Sequence, residues 1–568
     1  MLHPPLEIEP KESALLSEAP RQVGGVTPLP AGERPHFKQM PLVASVGMVL
    51  LAIVSIAIRL EMWSHAVIYP YDAYYYMGTA RSLALGAGYV WRGQPHTRFL
   101  PGYPLTITPF VSSAGPELGG VLAATLAWAL LGMLCYYIAS RVGGWMAGLA
   151  AGIIVLFHPL AIEWTTVPMA EGVFTLAAYG ALALMLEALR DKNAKALFFA
   201  ALPGGFALIT RNEGLVLVPL YLACSLWILY HRLKRFSQTS SFSNVYERKV
   251  GGRAVSAGLA LLLIPYSGWL FWSRKQTSSQ ISYASELAAN LKPGLGNVIS
   301  GLFYYSWHGY RSLFITLLGY LGFLLLIWKA PYVVALLGSW IASMTVIHAA
   351  WYFRYDRFAL ASVPALGIAA GAAIGAVGSL GARNVTARSV ATFRREYLLL
   401  GLALTVAGLG AVSIRDGKNL ALLHFALLER GGGQAIITAS RVGGHLNGNL
   451  ASNAGALAEF YSERQVVDIV PPLSSEDLAA LDPRERPCRA MLACFDPDKI
   501  GAGTPEERFE ALKTRGVRYL IIQIDNQEPA EVLKALRLPQ DRFHIRALVI
   551  IQRSLERSTA KAAIFRLE

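Results

Sequence analysis

Charged side chains are scarce in this sequence. Asp, Glu, Lys and Arg make up 15% of its 568 residues, 54% are hydrophobic, and the mean hydropathy is +0.41. That balance is too apolar for an ordinary water-soluble chain of this length. Cysteine is scarcer still, with four in the whole chain. Cys135 and Cys224 fall inside apolar runs and read as small packing residues, leaving Cys488 and Cys494 as the pair expected to form a disulfide. No Cys/His cluster has metal-ligand spacing, so neither a structural zinc site nor any other cofactor is expected, and a divalent metal has no support. Glycine-rich nucleotide signatures are lacking too: Arg441-Val442-Gly443-Gly444 reads as a turn. No fixed short repeat is present, which excludes a solenoid. The first 40 residues have no small-residue cleavage site behind a short apolar core. With Lys11, Arg21, Arg34 and Lys38 among prolines, residues 1–41 are expected to be a disordered cytoplasmic tail ahead of an uncleaved signal anchor.

What the chain has in abundance is long apolar runs. About 20 apolar residues cross the hydrocarbon core of a bilayer as a helix. Such runs are expected near 42–60, 119–140, 144–162, 168–189, 194–210, 213–231, 254–273, 312–328, 331–350, 356–378 and 397–414. The fold class read from them is a polytopic α-helical membrane protein of about eleven transmembrane helices, with a small C-terminal α/β soluble domain. The formal charge of +14 does not point to nucleic acid, because much of it sits in short loops between spans. Arg190–Lys195, Arg232–Arg253 and Arg383–Arg395 are basic, whereas 61–118 carries few cations for its length, so the basic loops are assigned to the cytoplasm and 61–118 to the outside. An odd number of spans then puts the chain after about 415 outside as well. The domains expected are thus the 1–41 tail, a membrane domain over 42–414 and a soluble α/β domain over 415–568.

Gly148 and Gly152, and again Gly367, Gly371 and Gly375, are spaced to let helix backbones approach. In the soluble part an apolar run at Ala435–Ala439 precedes a helical stretch around Leu450–Tyr461. Beyond it come an apolar run Val466–Val470, a helix near Pro505–Thr514, a strand Arg518–Gln523, a helix Pro529–Leu536 and apolar runs near Ala547–Ile551 and Ala563–Leu567.

An ionisable side chain at membrane depth is costly, so the charges that gather at span ends on one face are the candidates for chemistry. They are Asp72, Glu163, Glu171, Arg211, Glu213, Arg354 and Arg357. From Asp72 to about Leu85 an apolar stripe of Ala73, Met77, Ala80 and Ala84 predicts a helix lying on the outer membrane surface, with Thr79, Arg81 and Ser82 off the stripe. The turn-rich stretches Leu85-Gly-Ala-Gly-Tyr and Leu100-Pro-Gly-Tyr-Pro beyond it are expected to shape a cleft above the bilayer.

The order of these motifs resembles the polytopic glycosyltransferases of the GT-C superfold that use polyprenyl-phosphate sugars, among them protein mannosyltransferases and aminoarabinose transferases. The resemblance rests on Asp72 with Tyr76, Ala80 and Leu85-Gly-Ala-Gly-Tyr, then Pro101-Gly-Tyr-Pro and His158-Pro. Met169-Ala-Glu171-Gly-Val-Phe, Leu208-Ile-Thr-Arg-Asn-Glu-Gly-Leu and Arg354-Tyr before the Pro364 span continue it, over roughly 42–415. It implies an inverting transfer of a sugar from a polyprenyl-phosphate donor to a lipid, glycan or protein acceptor at the outer face of the cytoplasmic (inner) membrane. By that resemblance Asp72 is the catalytic base and Glu171 a second acid in the same cavity. Arg211 and Arg354 hold the lipid phosphate, and Tyr76 and His96 contact substrate. Some relatives have two adjacent acids where this chain has Asp72-Ala73, so a metal is not implied. The competing reading of Asp72 is a helix cap, of Glu171 a cap or ion-pair partner, and of the arginines plain interfacial cations. A multi-pass transporter or lipid flippase is the alternative function. A non-catalytic scaffold is the third.

Overall fold

The computed structural model describes residues 42–567 except 67, 92, 239–242, 277–294, 308–309, 350–354, 384–404, 424, 426–432, 470–498, 501–503, 525–527 and 553–558. Among the described residues, thirteen helices up to residue 383 build the membrane part. They are α1 (Leu42–Trp63), α2 (Tyr71–Ala84), α3 (Gly102–Gly143), α4 (Trp145–Leu156), α5 (Pro159–Thr165), α6 (Glu171–Asp191) and α7 (Ala194–Leu208), then α8 (Leu217–Gln238), α9 (Ser243–Gln276), α10 (Leu295–Ser306), α11 (Leu313–Lys329), α12 (Pro331–Ala349) and α13 (Val363–Arg383). A short hairpin of β1 (Val90–Trp91) and β2 (Gln94–Pro95) follows α2. Among the described residues seven helical stretches are long and apolar enough to cross a membrane, or eight if the bent pair α4 and α5 is one span. With the shorter apolar helices α7 and α11 they fall at every expected position except 397–414, which lies partly outside the described residues.

Two expected spans depart from straight helices, each at a residue that explains the departure. The helix expected over 119–140 starts 17 residues earlier, because Pro101-Gly-Tyr-Pro opens α3 instead of forming a loop; a kink at Gly115 (φ 75°) lies between Pro109 and Pro116. Only glycine adopts that backbone at low cost. The run expected at 144–162 breaks by 49° between α4 and α5, where His158 precedes Pro159. A residue before proline is disfavoured in the α region, and His158 has ψ 131°. The glycine packing holds as expected. A Cβ on Gly371 would lie 2.3 Å from Ala147 O, and one on Gly375 2.7 Å from Gly143 O, so α13 and the α3–α4 corner touch backbone to backbone.

Helix α2 differs from the surface helix that its stripe predicts. Ala73, Met77 and Ala80 are buried, but so are Tyr74, Tyr75, Tyr76, Gly78 and Thr79. One side of α2 packs on α3, and the other meets the water-soluble part. An amphipathic pattern cannot distinguish a lipid surface from a second protein surface, and tyrosines suit both.

From Gly433 onward the chain forms a sheet in the order β5-β4-β3-β6-β8-β7. Its strands are β3 (Asn449–Ser452), β4 (Val466–Ile469), β5 (Lys499–Ile500), β6 (Val517–Ile524), β7 (Phe543–Gln552) and β8 (Thr559–Leu567). The β5-β4-β3-β6 part is parallel, and β8 and β7 add antiparallel. Leu520, Ile521 and Ile522 are all fully buried, as expected for a strand covered on both faces. Ile521 joins a core with Ala435, Ile436 and Leu457, from the helices over Gly433–Gly444 and Gly455–Ser462, and that core is continuous with the membrane bundle. Leu520 and Ile522 face Phe509, Leu512, Val532 and Leu533, from the helices Pro505–Thr514 and Pro529–Ala535. The run Ala435–Ala439 is therefore helical and Arg441–Gly444 is its last turn rather than a free turn. Residues 450–452 are strand before the expected helix begins. Cys135 and Cys224 are buried and free; Cys488 and Cys494 lie outside the described residues.

Candidate active site

Asp72 stands in the first turn of α2, after an N-cap of Pro70 that makes no side-chain capping bond. Its carboxylate is thus spared for other partners, in a turn where the helix dipole favours negative charge. Oδ2 accepts from Arg357 Nη2 at 3.1 Å. Arg357 is carried by the 3-10 turn Asp356–Ser362 that leads into α13. Its guanidinium lies over Trp164 of α5 at 5.7 Å, Tyr355 at 5.4 Å and Phe358 at 5.3 Å, a cage that fixes the plane of the cation. Arg357 Nε is 3.9 Å from Glu171 Oε1 and buried, with no hydrogen-bond partner among the described residues.

Glu171 is the first residue of α6 and is 4% exposed. It accepts from Arg211 Nη1 at 2.6 Å, while Arg211 Nη2 and Nε grip the two oxygens of Glu213 at 2.7 and 3.3 Å. The Glu213 side sits 3.5 Å from His348 Nε2 of α12, whose ring stacks flat on Phe358 at 4.6 Å. An unbroken series therefore runs Asp72, Arg357, Glu171, Arg211, Glu213, His348. Next to it Asp356 accepts from Tyr304 and pairs with Arg311. Charges this deep persist only when paired. Two guanidinium groups serve three carboxylates here, and the unused capacity is concentrated at the centre, on Arg357 Nε and on Glu171 Oε2.

The structure brings Asp72, Glu171 and Arg211 into one cluster, as their shared membrane face implied. Tyr76 is one turn beyond Asp72, with its ring 5.1 Å from both Phe99 and Tyr103. Burial first, and then the Asp72 charge, hold its phenol protonated well above the usual range. His96 is placed apart from the ion pairs. It is sandwiched between Tyr75 at 5.5 Å and Phe99 at 5.7 Å, Nε2 has no partner among the described residues, and burial followed by the Arg98 charge pushes its pKa down to about 3. His96 thus enters the site region as a neutral ring within an aromatic stack. Arg354 lies outside the described residues. The residue that sequence reasoning undervalued is Arg357, three positions on in the same Arg-Tyr-Asp-Arg run, and nothing in the spacing favours one arginine over the other. His348, on an apolar span, gave no signal at all. Among the described residues no three His, Cys, Asp or Glu side chains gather as a metal site.

Residues 101–244 match the family model of dolichyl-phosphate-mannose-protein mannosyltransferases. No curated protein sequence matches the chain. Among solved structures, the crystal structure of ArnT from Cupriavidus metallidurans bound to undecaprenyl phosphate superposes with a TM-score of 0.58 at 15% identity, covering 91% of this chain and 98% of that one. The chain has the fold of that ArnT. The same ArnT in its apo state gives a TM-score of 0.52 at 15% identity, over 92% of this chain and 98% of that one. Archaeal oligosaccharyltransferase AglB from Archaeoglobus fulgidus, in complex with an inhibitory peptide and a dolichol-phosphate, gives 0.50 at 10% identity, over 84% of this chain and 69% of that one. The likeness in fold thus reaches well beyond the 101–244 match, and the chain is a multi-pass membrane protein.

Proposed function

We propose that this chain is a membrane glycosyltransferase that moves a sugar from a polyprenyl-phosphate donor to a lipid, glycan or protein acceptor at the outer face of the cytoplasmic membrane, with inversion at the anomeric carbon. The observation that carries the reading is Asp72: a carboxylate about one quarter exposed, at the open end of an otherwise buried ion-pair series, and within reach of a caged arginine. The donor class is supported by the family match and by the undecaprenyl phosphate and dolichol-phosphate bound to ArnT and AglB.

In this reading Asp72 takes the proton of the acceptor nucleophile as its oxygen or nitrogen attacks the anomeric carbon. The bond from that carbon to the phosphate oxygen breaks, and the lipid phosphate leaves with a negative charge that a fixed cation must meet. Arg357 is that cation, with an N–H already desolvated and without a hydrogen-bond partner among the described residues. Arg211 is less suited to the phosphate than its position in the sequence suggests. All three of its donor nitrogens are engaged by Glu171 and Glu213, so it holds Glu171 against Arg357 instead. A donor phosphate that draws Arg357 toward itself also loosens the Arg357–Asp72 pair and frees the base.

The proposed orientation, with 61–118 and the chain after 415 on the extracytoplasmic side, is supported by the basic loops assigned to the cytoplasm. A transporter should gather its polar residues near the bilayer midplane, often in two related halves; the family match and the fold favour the transferase. The test is to incubate purified protein with a panel of polyprenyl-phosphate sugars and candidate acceptors and to measure released carrier phosphate. Sugar-dependent release supports the reading, and no release from any donor in the panel opposes it.

A further inference from the structure

The sheet-bearing part of the chain reaches the candidate base through one aromatic ring. Tyr74 lies two residues after Asp72 and is 1% exposed. Its phenol oxygen accepts from the backbone N–H of Tyr69 at 3.2 Å, which ties the segment entering α2 to the helix's first turn. Proline at the N-cap offers no side-chain oxygen for that purpose. The Tyr74 ring is held in turn by the helix Gly455–Ser462: its centroid is 5.7 Å from Phe460 and 6.2 Å from Tyr461. Phe460 and Tyr461 pack edge to face at 5.1 Å, and Arg441 lies over Tyr461 at 5.3 Å. Behind the same turn the Tyr69 phenol donates to Glu117 Oε2 at 3.2 Å, just after the Gly115–Pro116 kink of α3, and accepts from Trp63 Nε1 at 2.9 Å. Near the far end of α2, Arg81 pairs with Glu463.

From this geometry we infer that Tyr74 is a positioning residue for Asp72 and that Phe460 and Tyr461 of the soluble part form its seat, so that the soluble part is a working component of the active site. The inference rests on the proposed transferase reading. Of the two terminal contacts, the aromatic one carries the argument. The Arg81–Glu463 pair is at the exposed end, where an ion pair contributes little. The aromatic seat is buried and acts on the turn that aims the carboxylate. A general base must meet its proton within hydrogen-bond reach, and a displacement of about 1 Å can cost up to about 10²-fold in rate. Donor binding, assigned to Arg357, does not pass through Tyr74.

The consequence is a separation of kinetic constants that a merely structural role would not give. Tyr74→Phe keeps the ring and its packing and removes only the oxygen that accepts from Tyr69. Phe460→Leu keeps an apolar side chain and loosens the seat. Both are expected to lower kcat about tenfold, with donor KM and the melting temperature of the purified full-length protein near wild type. The double variant should fall little below either single one, because both act on one turn. Asp72→Asn is run alongside: if it is active, the base assignment fails whatever Tyr74 does. Should Asp72→Asn be inactive while Tyr74→Phe and Phe460→Leu both turn over at the wild-type rate, the positioning role is wrong and the base assignment stands. A rise in donor KM equal to the fall in kcat/KM, with kcat unchanged, also overturns it.

Discussion

Arg211 offers the sharpest test of the ion-pair series because its removal strands two acids at once. Arg211→Met takes away three hydrogen bonds, of 2.6, 2.7 and 3.3 Å, from Glu171 and Glu213, whose side chains are 5% and 9% exposed. Breaking one buried pair by deleting a partner typically costs about 3–5 kcal/mol, chiefly because a desolvated charge is left behind. Among the described residues Glu171 keeps Arg357 at 3.9 Å and Glu213 keeps His348 at 3.5 Å, so a loss at or above that range is expected. Arg211→Lys retains the charge and loses the planar fork, for a smaller loss of about 1–2 kcal/mol. Adding Glu213→Gln to Arg211→Met removes one stranded charge and should recover part of the stability, so the double variant is more stable than the single one. Thermal unfolding of detergent-purified protein, followed by intrinsic fluorescence, ranks the four proteins. If Arg211→Met melts with wild type, or if Glu213→Gln makes it worse, the series does not bear the charges assigned to it.

The other expectations are narrower. Arg357→Gln should raise donor KM as well as lower kcat, whereas a lipid-facing cation would change neither, and steady-state kinetics over donor concentration separates the two. His96, with a folded pKa near 3 against 6.5 for the free side chain, favours folding fully above pH 6.5 and progressively less as pH falls toward 3. His96→Phe should flatten that part of a melting-temperature profile, and identical acid slopes would remove His96 as the cause. A cysteine placed at Asn447 should react with an impermeant reagent from outside the cell; labelling only after permeabilisation would reverse the orientation.

The charged residues of the candidate site were legible because burying them is expensive. Asp72, Glu171, Arg211 and Glu213 each stand at the end of an apolar run, and a shared membrane face was enough to group them. Their pairing was not legible. It depends on the 3-10 turn that brings Arg357 toward Asp72, and no periodicity in the Arg-Tyr-Asp-Arg run singles that arginine out. The spans were read from hydropathy, but the break before Pro159 and the kink at Gly115 depend on local backbone preferences that an averaged window smooths away. Helix α2 shows the deeper difficulty. Its stripe of small apolar residues correctly gave one buried side, but Tyr74 is covered by the Gly455–Ser462 helix, nearly four hundred residues away in sequence, while Tyr75 and Tyr76 pack on Trp91, Phe99 and Tyr103. In the sheet, the apolar run Ala435–Ala439 suits either a buried strand or a buried helix, and tertiary packing against Ile521 decided for the helix.

The central claim is that Asp72 is a base rather than a structural carboxylate, and Asp72→Asn tests it most directly. Asn preserves size and still accepts from Arg357 through its carbonyl oxygen, but it does not take a proton at neutral pH. Single-turnover sugar transfer should slow by about 10²–10⁴-fold while donor binding and melting temperature stay near wild type. Transfer at the wild-type rate by Asp72→Asn would contradict the account, and Glu171, whose Oε2 has no hydrogen-bond partner among the described residues, would be the next carboxylate to examine.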